Sequence, residues 1–212
     1  MPIVIYGPAY STYTRSVRLA LEEKGAAYEL VEVHILGGEH RQPGHLARNP
    51  FGPVPAFEHD GFALYETGAI LRYVDDAVPG PALAPEEPRA RARMNQIMGI
   101  VDSYAYRTMI GGVFWQRVVV PMTGGEPDPG AVEAALPRVG LCLDEIARLK
   151  GDHRFLVGPE PSLADLLLAP VLAYLAMTPE GRDALAARPS LGQWLDGMNA
   201  RESMKKTQPK LG

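Results

Sequence analysis

Cysteine is nearly absent from this chain of 212 residues, where Cys142 stands alone. A single thiol cannot form an intramolecular disulfide, a thiolate cluster for zinc or a Cys-x-x-Cys redox pair. Its isolation fits a reducing compartment. An excess of positive charge is missing as well: 21 Lys and Arg face 25 Asp and Glu, for a formal net charge of −4. Without a basic footprint to hold phosphates, nucleic acid is not an expected partner. Long apolar runs are also lacking. The most apolar stretch, Leu163 to Met177, is interrupted by Asp165 and Pro170 and is shorter than the roughly 20 residues a bilayer-spanning helix needs. Residues Met1 to Gly7 carry no basic leader. These absences point to a cytoplasmic, soluble protein with no membrane partner. His40 and His45 have no third ligand nearby in sequence, so no metal site is expected.

What is present is ordinary globular composition, 46% hydrophobic and 22% charged, enough for one large domain or two small ones. The first part of the chain changes character about every ten residues. Pro2 to Tyr6 reads as a buried strand ended by Gly7-Pro8. From Thr14 to Lys24, apolar Val17, Ala20 and Leu21 recur at helical spacing, with Gly25 at the C-cap position. Tyr28 to Val33 alternates as a second strand, completing a βαβ unit. After a polar loop, His34 to Pro43, and a short turn at His45 to Asn49, Val54–Glu58 and Phe62–Leu64 read as a hairpin around Asp60-Gly61. Glu66 to Ala77 is a helix with Ala69, Ile70, Tyr73 and Val74 on its apolar face. The order is βαβ followed by ββα.

Prolines at 79, 81, 85 and 88 cannot continue a helix and mark a linker. Beyond it everything reads as helix: Arg89 to about Val120, Gly130 to Lys150 with Pro137 inside, Leu163 to Ala176, Pro179 to Ala187 and Leu191 to Ala200. The polar tail from Lys205 to Gly212 is expected to be loose. The expected organisation is residues 1–79 as an α/β domain, 80–86 as linker and 87–212 as an all-α helical bundle domain.

Four motifs then carry a resemblance. Ser11-Thr12-Tyr13-Thr14-Arg15-Ser16-Val17-Arg18 with the helix that follows, Asn49-Pro50-Phe51-Gly52-Pro53-Val54-Pro55, Leu64-Tyr65-Glu66-Thr67-Gly68, and Phe155-Leu156-Val157-Gly158 followed by Ser162-Leu163-Ala164-Asp165 resemble, in order, the glutathione transferase superfamily. With Glu39-His40-Arg41-Gln42-Pro43, the spacing is most similar to the phi class and its bacterial relatives. The resemblance implies a thioredoxin-like N-terminal domain that binds glutathione and a helical domain that shapes the second-substrate pocket. It also implies a homodimer, no cofactor beyond glutathione as co-substrate, and conjugation of the thiolate to small apolar electrophiles, with reduction of organic hydroperoxides as a second activity. A non-catalytic docking module and a zeta-like maleylacetoacetate isomerase are the alternatives. The loop has Ser11-Thr12-Tyr13 where the latter usually shows Ser-Ser-Cys.

The chemistry required is a thiol made nucleophilic near neutral pH. A free thiol has a pKa of about 8.5, and lowering it by about two units takes roughly 2.7 kcal/mol of preference for the anion. A hydroxyl donating to the charged sulfur contributes about 1.5–3 kcal/mol and a helix N-terminus about 0.3–1. Together they suffice without a general base. By resemblance Ser11 is the activating donor, with Tyr10, Thr12 and Tyr13 as rival hydroxyls and helix capping as the plain alternative. Val54 and a cis Pro55 are expected to pair with the cysteinyl backbone. Glu66 and Thr67 should take the γ-glutamyl end, and His40 and Arg41 the glycine carboxylate. Pro53 departs from the family, which often has Gln there. Tyr10 and Tyr13 with Tyr106, Met109, Phe114 and Trp115 are candidates for the second-substrate pocket. Ser162 and Asp165 read as a structural capping box.

Overall fold

A computed structural model describes residues 2–209. The chain groups into two units: Met1–Ala84 together with Arg201–Gly212, and Pro85–Ala200. The second unit begins inside the expected proline-rich linker. The last part of the chain, expected with the helical domain, groups with the first unit instead.

The first unit is built on a four-stranded mixed sheet in the order β2-β1-β3-β4. Its strands are β1 (Ile3–Tyr6), β2 (Glu29–Val31), β3 (Ala56–His59) and β4 (Phe62–Tyr65). β1 runs parallel to β2, with Ile5 opposite Leu30, and antiparallel to β3, with Tyr6 opposite Ala56. The parallel pair needs a crossover, which α1 (Thr12–Lys24) provides. The antiparallel pair β3 and β4 needs only a two-residue turn. Asp60 (φ 52°) and Gly61 (φ 79°) both take the left-handed conformation that such hairpin turns favour.

Helix α1 ends where the sequence predicts, at Gly25 with φ 68°, and Ala26 N–H returns to Leu21 C=O at 2.9 Å. α2 (Pro43–Leu46) is one short turn, and α3 (Thr67–Ala77) packs against α1. Ile3 and Ile5 from β1, Val17 and Leu21 from α1, Phe57 from β3 and Ile70, Leu71 and Val74 from α3 are buried together as apolar core.

The tail is not loose as far as it is described. α10 (Glu202–Lys206) lies on α1, and Thr207 is fully buried. Composition alone signals solvation, whereas here polar side chains are consumed by hydrogen bonds to α1. The remainder of the predicted loose tail, residues 210–212, lies outside the described residues.

In the second unit, one helical segment runs as α4 (Pro88–Ile100), then wider turns over Val101–Ala105 and Arg107–Val119, then α5 (Val120–Met122). The wide turns are π-helical: Tyr106 N–H bonds to Val101 C=O and Val120 N–H to Trp115 C=O, five residues back. Such turns are rare in long runs, and nothing in the apolar periodicity distinguishes them from an ordinary helix. α6 (Pro129–Lys150) runs through Pro137 and passes close at Gly112, where an added Cβ would meet Ala135 Cβ at 2.7 Å.

α7 (Leu163–Leu175) is the buried centre of the second unit, flanked by α8 (Pro179–Ala186) and α9 (Pro189–Asn199). Its start is the predicted capping box. Fully buried Asp165 accepts from Ser162 N–H (2.8 Å), Ser162 Oγ (2.7 Å), Leu156 N–H (2.9 Å) and Trp194 Nε1–H (2.7 Å). One carboxylate thus ties the preceding loop and α9 to the helix start. Among the described residues no helix is long and apolar enough to cross a membrane.

The first unit contains a buried ion pair that anchors the linker. Lys24 Nζ lies 3.0 Å from Asp75 Oδ1, with side chains only 2% and 7% exposed, and also donates to Asp75 C=O at 2.8 Å. The same carboxylate accepts from Leu83 and Ala84 N–H at 2.7 and 2.9 Å. Asp75→Ala leaves a buried ammonium without its partner and should cost about 3–5 kcal/mol in urea unfolding. A loss below about 1 kcal/mol would show the pair to be solvated.

Candidate functional site

β1 ends at Gly7, whose N–H bonds to Val31 C=O at 2.9 Å. A Cβ on Gly7 would sit 2.4 Å from Thr14 Oγ1 and 3.3 Å from Val54 Cβ. The absence of that one carbon lets the first turn of α1 and the Pro53–Pro55 loop close on the same point. The sequence marks Gly7 only as a strand terminator.

Ser11 occupies the N-cap of α1 in extended conformation (φ −69°, ψ 129°), and its Oγ accepts from Thr14 N–H at 3.3 Å. Capping uses an oxygen lone pair and leaves the hydroxyl proton available. The two readings of Ser11, cap and donor, are therefore compatible. The rival hydroxyls differ in surroundings. Tyr10 is held above the usual phenol range, first by burial and then by the charge of Glu32, while backbone N–H groups of Ile35 and Leu36 bond its oxygen. Thr12 is buried, and Tyr13 is half-buried. Thr14 Oγ1 is buried with no hydrogen-bond partner.

The Val54–Pro55 bond is cis. The loop before it is fixed by Asn49, whose Nδ2 donates to Pro53 C=O at 2.7 Å while its Oδ1 accepts from Phe51 N–H at 3.1 Å. His45, buried, places Nε2 3.2 Å from the same carbonyl. Gly52, at φ 90°, makes the turn. Val54 itself is half-buried, and among the described residues its N–H and C=O have no backbone partner.

Glu66 precedes α3 at φ 72°, ψ 108°, with an exposed side chain that makes no cap to the helix. A non-glycine residue there carries strain of about 1–3 kcal/mol, and such residues cluster at binding sites. Thr67 follows at the first helical position, 8% exposed. His40 and Arg41 lie in a single turn, Glu39–Arg41, with Arg41 exposed and His40 half-buried. Burial, then the charges of Arg41 and His45, hold the His40 imidazole below its usual range. At neutral pH the cation of this pair is therefore Arg41.

The first unit thus carries Ser11, Val54, Pro55, Glu66, Thr67, His40 and Arg41, along with Tyr10 and Tyr13. Gly7, His45 and Asn49, none of them a glutathione-site candidate in the sequence, also help to shape this unit. Asn49 was visible in its motif, but its role needs the loop geometry. The helical candidates Tyr106, Met109, Phe114 and Trp115 sit on the wide turns of the second unit. Met109 is fully buried and Phe114 stacks on Tyr174 with centroids 4.5 Å apart, whereas Tyr106 is half-buried and Trp115 is 43% exposed. Among the described residues no group of three His, Cys, Asp or Glu is arranged for a metal ion.

Residues 1–76 match the family model described as glutathione S-transferase, N-terminal domain, and residues 129–197 the one described as glutathione S-transferase, C-terminal domain. The chain belongs to the glutathione S-transferase family. Glutathione S-transferase F13 of Arabidopsis thaliana is 30% identical over 100% of this chain and 97% of its own. Glutathione S-transferase 3 of Zea mays is 32% identical over 97% and 93%. Among solved structures, glutathione transferase F7 from Populus trichocarpa superposes with a TM-score of 0.86 at 32% identity, covering 97% of both chains. Glutathione S-transferase I from mais, in complex with an atrazine glutathione conjugate, gives 0.84 at 32% identity over 98% and 96%. Several of the similar relatives, F13 and F7 of Arabidopsis thaliana and F7 of Populus trichocarpa among them, are of the phi (F) class.

Gly7→Ala should force the start of α1 away from Val54 and cost about 1–3 kcal/mol in urea unfolding. Removing the oxygen it meets, in Gly7→Ala with Thr14→Ala, should recover part of that loss, because the two sites touch. Strict additivity of the two substitutions would contradict this packing.

Proposed function

We propose that this protein is a glutathione S-transferase that uses Ser11 to hold glutathione as its thiolate and conjugates it to small apolar electrophiles. The observation that carries the reading is the geometry at the start of α1. Ser11 Oγ is fixed by Thr14 N–H, its proton has no acceptor among the described residues, and the positive end of the helix faces the same point. The thiol proton would leave to solvent, and the sulfur anion would accept the Ser11 hydroxyl hydrogen bond. The thiolate then attacks the electrophilic carbon, displacing a leaving group or adding to a polarised double bond.

The remaining groups would orient the tripeptide. Val54 offers an N–H and a C=O to the cysteinyl backbone as an added strand would. The N-terminus of α3 and the Thr67 hydroxyl would take the γ-glutamyl carboxylate, with Glu66 beside its ammonium. Arg41 would pair with the glycine carboxylate. With Pro53 in place of Gln, that side-chain contact to glutathione would be lost, while the Pro53 carbonyl is held by Asn49 and His45. A cytoplasmic homodimer with a detoxifying role completes the proposal. Phe51, 74% exposed, and Phe62, 50% exposed on β4, favour a second copy of the chain as cover.

Steady-state conjugation of glutathione to an activated chloroarene tests this directly. Ser11→Ala should lower kcat/KM by about 10- to 150-fold, the worth of one hydrogen bond to a charged sulfur. Turnover within about threefold of wild type would move the donor to Tyr10, Thr12 or Tyr13. Arg41→Ala should raise the glutathione KM about tenfold near pH 7. His40→Ala should do little there and more at acidic pH, because burial and the nearby charges of Arg41 and His45 let His40 gain charge only below the usual imidazole range. Equal effects of the two variants at neutral pH would contradict that division.

A further inference from the structure

The segment that returns from the second unit, Arg201–Thr207, lies along one face of α1. It is attached at both ends of the short helix α10. At its C-terminal end, buried Arg15 reaches the last turn: Nη2 donates to Met204 C=O at 2.9 Å and Nε to Thr207 Oγ1 at 3.3 Å. Thr207 Oγ1 in turn donates to Ser203 C=O at 2.8 Å, and Arg18 Nη1 reaches Thr207 C=O at 3.4 Å. At its N-terminal end, Glu23 accepts from Arg201 Nε and Nη2 at 2.8 and 2.6 Å, and from Ser203 Oγ. Lys206 pairs with Glu22 at 3.3 Å. Residues 15, 18, 22 and 23 share one helical face, which is not the face carrying Val17 and Leu21 into the core.

The two attachments differ in their distance from the chemistry. Arg15 N–H bonds to Ser11 C=O at 2.8 Å, the first hydrogen bond of α1. Its guanidinium therefore anchors the same turn that Ser11 caps. Glu23 lies eight residues further, about 12 Å along the axis. Its carboxyl is held below the usual range because Arg201 and Ser203 together outweigh the opposing effect of burial.

We propose that the terminal segment, through Thr207 and Met204 on Arg15, positions the thiolate-holding turn of α1, so that Arg15 and Thr207 are positioning residues for the reaction. The proposal rests on the transferase reading above. The sheet side of α1 is fixed by packing, and its outer side would be free to tilt or slide without this clamp. A hydroxyl that must meet a sulfur within hydrogen-bond distance tolerates little such motion, since displacements near 1 Å can cost about 100-fold in rate.

The test is the ultraviolet titration of the bound glutathione thiol, together with the KM for each substrate. Thr207→Val keeps shape and removes the oxygen that Arg15 reaches. It should raise the bound thiol pKa by about half a unit or more and the glutathione KM about three- to tenfold, leaving the electrophile KM unchanged. Thr207→Ser should restore both. Arg15→Lys keeps the charge but loses the fork and should shift the thiol in the same direction, which secures the test should Thr207→Val fold poorly. Glu23→Gln, at the far attachment, should lower Tm with the thiol pKa unmoved. If Thr207→Val and Arg15→Lys lower Tm alone, the segment is structural and the proposal is overturned. A wild type whose bound thiol titrates like free glutathione would instead fail the transferase reading itself, and this inference with it.

Discussion

The first unit closes tightly at Gly7, where an added Cβ would press on the Thr14 side chain and on Val54. β1 stops at Gly7 with Thr14 Oγ1 and Val54 Cβ both within reach of a carbon that is absent. Because those neighbours belong to the first turn of a helix and to the loop before β3, one atom's worth of space decides whether they share a site. The parallel β1–β2 pairing requires α1 to cross over and start beside that point. The antiparallel β1–β3 pairing, with Tyr6 opposite Ala56, brings the cis-proline loop to the same end of the sheet. Topology brings the groups together, and Gly7 lets them close.

Electrostatics then acts on what packing has assembled. A helix N-terminus, a hydroxyl that caps it and a loop whose Val54 N–H and C=O have no backbone partner among the described residues are each ordinary. Combined, they favour an anion held beside an extended peptide. Strain is visible at Glu66, whose backbone lies outside the regions open to most residues, and the buried Thr14 hydroxyl has no hydrogen-bond partner among the described residues. Polar groups elsewhere are used to secure the frame: Lys24 with Asp75, Asp165 with four donors, and Arg15 with the end of α10.

Much of this was legible in the residues. Gly25 marks a helix end because a left-handed cap favours glycine, and Asp60-Gly61 marks a hairpin for the same reason. The βαβ–ββα order follows from changes of apolar period, and Ser162 to Asp165 reads as a cap from its spacing alone. The rest was hidden for physical reasons. A polar tail reads as solvated because composition does not reveal that Thr207 and Ser203 find partners on α1. The π-helical turns from Val101 to Val119 leave the same apolar stripe as an α-helix. Arg15 stands in the first motif, but nothing in the motif shows that the terminal segment covers it. Met109 and Phe114, candidates for a substrate pocket, are held by their own unit, and Phe114 already stacks on Tyr174.

The start of α1 should lower the pKa of a thiol placed against Ser11. The direct measurement is the thiolate absorbance of bound glutathione against pH, in wild type and in Ser11→Ala. In wild type the bound pKa should lie about two units below the free value of about 8.5, with most of that shift lost in the variant. A wild-type pKa equal to that of free glutathione, or a full shift that survives in Ser11→Ala, would contradict it.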